Sequence, residues 1–308
     1  MSYSWYGRFP EPPSLTELDR MFRACDPKAR ICVGDDHRGD VGGSPYVLRD
    51  PEGSDDLSQP FPGRFVNVYV PGKSAAGIEV TWDDELGLRI RCMALASSED
   101  YDLALAVIER WLTGSKVAFW DEEEFEVEPK KIPLEYGAAF RRSQQEGGCA
   151  TLALRAEKLK KGEWVIVQTP LRPFFLDAYV FKQLKKKNLT DEVIGQLKRI
   201  VTLSSGPSTS GIACPNKVKV ALEGHEFIGE LCVLGSPTIL CQHDHVILSA
   251  PGEPERLVMT WETLVAVLKK RIEWLDARQI LVPKLQPEEL SQLFEAAARK
   301  AATIYVVE

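Results

Sequence analysis

Apolar and polar positions in this chain follow two periods, and the switches between them outline its elements. Leu15, Leu18, Met21 and Phe22 recur at helical spacing. Ser14 and Glu17 form a capping-box pattern, in which a hydroxyl and a carboxylate satisfy orphan amides, so a short helix through about residue 25 is predicted. Residues 34–63 lose periodicity and fill with Gly, Asp and Pro. They read as a long loop with one short strand at 46–48. From residue 64 the period is two. Residues 65–70 read as a strand, and 77–82 and 86–93 as a hairpin across Asp83, Asp84 and Glu85. Ser97 and Ser98 then cap a helix with Leu103, Leu105, Ala106, Ile108, Trp111 and Leu112 on its apolar side. Strands at 117–120 and 125–127 close this part.

Pro129 to Pro133 reads as a connector. Pro133 suits the first turn of a helix running to about residue 145, where Gly147 and Gly148 are expected to stop it. Strands follow at 151–154 and 164–167, then a helix over 173–187 and a second one capped at Thr190 that runs to about 201. Residues 204–216 read as a Ser/Gly/Pro loop. Strands are expected at 218–222, 227–234, 239–249 and 256–259, then a helix from Thr260 to about 277, a strand at 280–282, a helix from Pro287 to about 301, and a strand at 304–307. The order of elements predicts an α+β fold in two subdomains, residues 1–130 and 131–308, each an antiparallel or mixed sheet with helices packed on one face.

Composition narrows the function classes. With 308 residues, 44% hydrophobic and 27% charged, the chain is that of a globular protein. A net charge of −7 argues against a nucleic-acid partner, because phosphate binding needs clustered Lys and Arg. The dense basic runs, Lys158 with Lys160 and Lys161, and Lys185 to Lys187, flank predicted helices and read as solvated helix ends that complement the helix dipole. Seven cysteines at 25, 32, 92, 149, 214, 232 and 241 show no framework spacing. With no leader-like opening and no apolar run of membrane length, they point to reduced thiols, a cytoplasmic protein and no membrane partner.

Candidate chemistry is sparse. Two of the four histidines lie in Cys241-Gln-His-Asp-His245. On one extended strand Cys241, His243 and His245 would share a face, and a hairpin turn at 235–238 would bring Cys232 opposite Cys241 and Glu230 opposite His243. These are zinc-type ligands, although the paired Cys-x-x-Cys of a strong zinc signal is missing; alternatively Gln242 to His245 read as a polar hairpin tip that meets water. Gly147-Gly-Cys149 places a thiol after two glycines, for which a small buried cysteine is the simpler reading. No cofactor is expected: the chain lacks the P-loop, Rossmann and Gly-x-Ser-x-Gly signatures, and Val70-Pro-Gly-Lys-Ser74 has only the tail of the first.

The acidic run is more suggestive. Trp120, Asp121, Glu122, Glu123, Glu124 and Glu126 read either as an edge strand guarded by charge or as a patch that steers a basic partner. Trp5, Tyr6 and Phe9 belong to the core or to an interface. Residues 77–83, 88–95 and Ser97 with 100–108 resemble part of an uncharacterised family of bacterial proteins, a domain of unknown function. The likeness covers about residues 64–128 and implies a bacterial cytoplasmic origin, with no catalytic residue to carry over. Two functions are expected from this reading. One is a non-enzymatic immunity or antitoxin-type inhibitor that binds a protein partner, such as a basic toxin, through residues 120–126. The other is a metal- or thiol-dependent hydrolase centred on Cys241, His243 and His245.

Overall fold

The computed structural model of the chain describes residues 2–35, 57, 61, 64–115, 117–206, 210–213, 217–222, 225–252, 255–300 and 303–306. They form an α+β fold. The strand expected at 46–48 lies outside the described residues. The chain divides into two compact units, Met1–Thr202 and Leu203–Glu308.

The first unit is built on a six-stranded sheet in the order β2-β3-β4-β5-β1-β6, with every pairing antiparallel. The strands are β1 (Tyr3–Gly7), β2 (Arg30–Asp35), β3 (Arg64–Tyr69), β4 (Ile78–Asp83), β5 (Gly87–Cys92) and β6 (Phe119–Asp121). Alternation sets the register: Val66, Val68, Ile78, Val80, Leu88 and Ile90 all enter one core, at roughly 1.5–3 kcal/mol per buried aliphatic side chain. Helices α1 (Leu15–Cys25) and α2 (Ser98–Gly114) supply its other wall through Leu15, Leu18, Phe22, Leu105, Ile108 and Trp111. The predicted capping box of α1 is half made: Ser14 Oγ accepts from Glu17 N at 3.2 Å. The predicted hairpin is present as β4 and β5, with Asp83 Oδ1 accepting the N–H groups of Glu85 and Leu86 at 2.9 Å. Strands β1 and β2 were not predicted. Trp5 lies in the core with no exposed surface, and Phe9 packs edge-on against Trp111 at 5.2 Å. Tyr6 is half-buried, with Arg89 at 6.0 Å from its ring.

The boundary expected at 130 falls inside this unit. Residues 131–202 belong to it because they share a core with its earlier part: Ala75, Ala76 and Leu95 pack with Cys149, Leu152, Phe174, Leu176, Val193 and Leu197. Three expectations fail here. The glycine pair does not end a helix at 145, and no strand forms at 151–154, because α4 (Ala138–Ala156) runs through both. Gln145, Gly148, Cys149, Leu152 and Ala156 recur at helical spacing and are buried, so packing outweighs the cost of about 1 kcal/mol per helical glycine. The helix expected over 173–187 is instead β8 (Phe174–Asp177), paired with β7 (Trp164–Val167), followed by α5 (Ala178–Leu184). Asp177 accepts from Val180 N at 2.7 Å and caps α5, which fixes its start. A short α3 (Ile132–Glu135) precedes α4, and α6 (Leu189–Leu203) ends at the division between units.

The second unit has a mixed five-stranded sheet in the order β16-β13-β12-β10-β9 and a three-stranded one in the order β11-β15-β14. Its strands are β9 (Lys217–Leu222), β10 (His225–Val233), β11 (Thr238–Cys241), β12 (His245–Ser249), β13 (Glu255–Thr260), β14 (Glu273–Trp274), β15 (Gln279–Val282) and β16 (Thr303–Val306). Helices α7 (Trp261–Leu268) and α8 (Pro287–Ala298) cover the core through Leu264, Leu268, Leu293 and Phe294. The helix expected to reach 277 stops at Leu268, where Lys269 takes a φ of +48° and a single 3-10 turn leads into β14.

Candidate functional site

Strand β6 is the outer strand of the six-stranded sheet, as the edge reading of the acidic run requires. Its pairing partner is β1, through Trp5 with Asp121 and Tyr6 with Trp120. The chain then folds back in a tight turn: Glu124 N donates to Asp121 O at 3.0 Å, Asp121 N to Phe125 O at 3.0 Å, and Val127 N to Phe119 O at 2.8 Å.

Asp121 organises this turn from within and is not a surface residue. It is 6% exposed. Its Oδ2 accepts from the hydroxyls of Tyr3 and Tyr136 at 2.8 and 2.9 Å, and its Oδ1 from Glu123 N and Phe125 N at 3.0 and 2.9 Å. One carboxylate therefore joins β1, the turn and the end of α3. Burial, and then the neighbouring Asp121, push both tyrosine hydroxyls well above their ordinary pKa, so they remain donors. The rings around them interlock edge-to-face: Tyr3 with Phe140 at 4.8 Å, Trp5 with Tyr136 at 5.6 Å, Tyr136 with Phe140 at 5.3 Å.

Thus the six residues read from the sequence as one partner-binding patch separate by role. Asp121 is withdrawn into the core. Trp120 is half-buried under the Arg8 guanidinium, 4.5 Å from its ring. Glu122 turns one oxygen back to accept from Ser4 N at 3.1 Å, and partial burial raises its pKa. Glu123, Glu124 and Glu126 point outward. Between them stands Phe125, 64% exposed, in a turn where the pattern predicts a strand at 125–127. Glu124 holds a φ of +67°, a left-handed conformation costing on the order of 1 kcal/mol, against which the bonds to Asp121 work.

The Cys241–His245 segment is not the single strand expected over 239–249. It breaks between β11 and β12, which belong to different sheets. Gln242 is held at the break: its N–H donates to Arg278 O at 2.7 Å, and its carbonyl accepts from Arg278 Nη2 at 3.0 Å. Cys241 therefore ends one strand, His243 lies in the turn, and His245 starts the next. The hairpin between 227–234 and 239–249 is absent too, since β10 pairs in parallel with β12 and Cys232 lies beside Leu248, not Cys241. One expected pair does meet by this other route. Glu230, fully buried, accepts from Cys241 N at 2.7 Å, and its other oxygen is 3.5 Å from His243 Nε2. Among the described residues no three His, Cys, Asp or Glu side chains are placed to hold a metal ion.

Three further thiols are poor nucleophiles. Burial pushes Cys232 up to about 12 and Cys92 well above its ordinary value, and it raises Cys149, which sits inside α4. An open hollow of about 420 Å³ in the second unit is lined by Val267, Leu268, Lys269, Arg271, Gln292 and Leu293, none of them a candidate site residue. Val70-Pro-Gly-Lys-Ser74 has a structural role: Ser74 Oγ accepts from Val70 N at 2.7 Å, and Lys73 pairs with Asp26 at 2.6 Å. No helix among the described residues is long and apolar enough to cross a membrane. Comparison with protein-family models, with curated proteins and with solved structures finds no match to this chain.

Proposed function

We propose that the protein is a non-enzymatic binding protein, an inhibitor of the immunity or antitoxin type, that holds a basic protein partner at the acidic turn following β6. The observation that carries this reading is Phe125: a large aromatic side chain, 64% exposed, on a turn fixed from beneath by Asp121 and flanked by outward carboxylates. Aromatic anchors in a charged rim are the usual source of affinity and steering at protein interfaces. A turn already held in its bound shape loses little entropy on docking. Residues 120–128 carry six acidic side chains and no basic one, so the partner surface that fits is basic, as on a cationic toxin.

The test is retention of partners by the immobilised protein and by two variants. One is Phe125→Ala and the other is the triple Glu123→Lys, Glu124→Lys, Glu126→Lys. The expected result is a basic protein retained by the wild type, released as salt rises, and lost from both variants while their unfolding midpoints stay unchanged. Equal retention by wild type and charge-reversed protein would exclude this surface.

A further inference from the structure

The basic runs of the sequence do not stay apart as two solvated helix ends. Lys185 Nζ lies 2.6 Å from Glu157 Oε1, which joins the end of α5 to the end of α4. Residues 155–187 hold nine Lys and Arg against three Asp and Glu, net +6, in a chain whose total is −7. A helix dipole accounts for charges in the last turn, such as Arg155 and Lys182, but Lys158, Lys160, Lys161, Lys186 and Lys187 lie beyond the helix ends. Lys185 and Lys187 are paired with Glu157 and Glu192, whereas Lys158, Lys160, Lys161 and Lys182 form no ion pair among the described residues.

Apolar side chains stand among these charges. Leu154, in the last turn of α4, is 63% exposed; Trp164, which opens β7, is 40% exposed; and Tyr179, in the first turn of α5, is 69% exposed. The three elements pack together, with α4 against both β7 and α5. Trp164 lies opposite Asp177, the cap of α5, and so beside its first turn. Tyr179, Lys182 and Gln183 follow helical spacing on the exposed side of α5, and Lys186 follows just past its end.

We propose that this face, the carboxy-terminal end of α4 with the exposed side of α5 and the start of β7, docks on the anionic headgroups of a lipid bilayer. Flexible ammonium groups are drawn to a negatively charged leaflet without requiring a fixed geometry. Trp and Tyr prefer the headgroup level, and a leucine gains by entering the acyl boundary. The composition fits nucleic acid less well. Of the two arginines in this stretch only Arg155 is exposed, while Arg172 is buried, so the planar fork that grips phosphates is scarce, and Leu154 would gain nothing from a phosphate backbone. Such docking is peripheral, and it is independent of the acidic turn.

Sedimentation of the full chain with lipid vesicles tests it. At roughly 0.15 M salt, vesicles of phosphatidylcholine containing a third phosphatidylglycerol should bind the protein, and pure phosphatidylcholine vesicles should not. The triple variant Lys158→Gln, Lys160→Gln, Lys161→Gln should bind the anionic vesicles more weakly by on the order of a hundredfold. Trp164→Ala should weaken binding at unchanged charge, and Phe125→Ala should leave it unaltered. Absence of binding to anionic vesicles, binding unchanged by the lysine substitutions, or retention of a short DNA duplex in place of vesicles would overturn the proposal.

Discussion

Asp100 shows how one buried carboxylate can reverse the usual effect of acid. It sits fully buried in the first turn of α2, and its Oδ2 accepts from the N–H groups of Ser97, Ala75 and Gly77 at 2.8, 3.1 and 3.3 Å. Desolvation outweighs these bonds and raises its pKa above the ordinary 3.8. A folded-state pKa above the unfolded one favours the protonated form. Its contribution to stability is therefore complete below the unfolded value and is lost as pH rises through the folded one. Asp100→Asn lacks this titration. The stability of wild type minus variant should thus fall as pH climbs from about 3 toward neutrality; urea unfolding across that range checks it, and a pH-independent difference would contradict it. Asp121 is a second residue-scale test. Asp121→Ala removes four hydrogen bonds and leaves two buried hydroxyls unpaired, so unfolding free energy should drop by about 3 kcal/mol. Glu123→Ala, on the same turn but exposed, should change it by less than about 0.5 kcal/mol. The acidic run was legible in the sequence. The withdrawal of Asp121 from it was not, because its partner Tyr3 lies 118 residues away.

Among the elements, those fixed by local chemistry could be read directly. Ser14 and Ser97 cap α1 and α2, and Asp83 closes the hairpin of β4 and β5. Gly87 in that hairpin has a φ of +87°, and a Cβ there would stand 2.3 Å from the Gly7 carbonyl oxygen. Gly87→Ala should therefore lower stability by about 2 kcal/mol or more, measured by thermal or urea unfolding. Elements fixed at long range were not legible. Strand β1 is a five-residue segment whose neighbours are Cys92 to Leu88 and Asp121 to Phe119. Residues 239–249 contain no glycine or proline to signal a break. The break at Gln242 is made by Arg278, which holds its backbone, and by Glu230, which reaches across to Cys241. The pairing of Glu230 with His243 was anticipated, but from a register that does not occur.

For the molecule as a whole, the first division falls at residue 202 and not at 130. A fragment ending at 202 should keep the near-ultraviolet circular dichroism of the interlocked Tyr3, Trp5, Tyr136 and Phe140 rings. A fragment ending at 130 loses two of these rings and the Tyr136 bond to Asp121, and should lack that signal. Charge is also distributed unevenly. The turn after β6 is acidic and the α4–α5 face is basic, so the total of −7, which argues against a nucleic-acid partner, conceals two surfaces of opposite sign. The central claim concerns the acidic one. Its most direct measurement replaces Phe125 with a photo-reactive phenylalanine analogue, irradiates cells producing the protein, and identifies what becomes attached, with Leu86 replaced in the same way as an exposed control. The account predicts one basic protein joined at position 125 and not at position 86. No adduct at 125, or the same adducts at both positions, would contradict it.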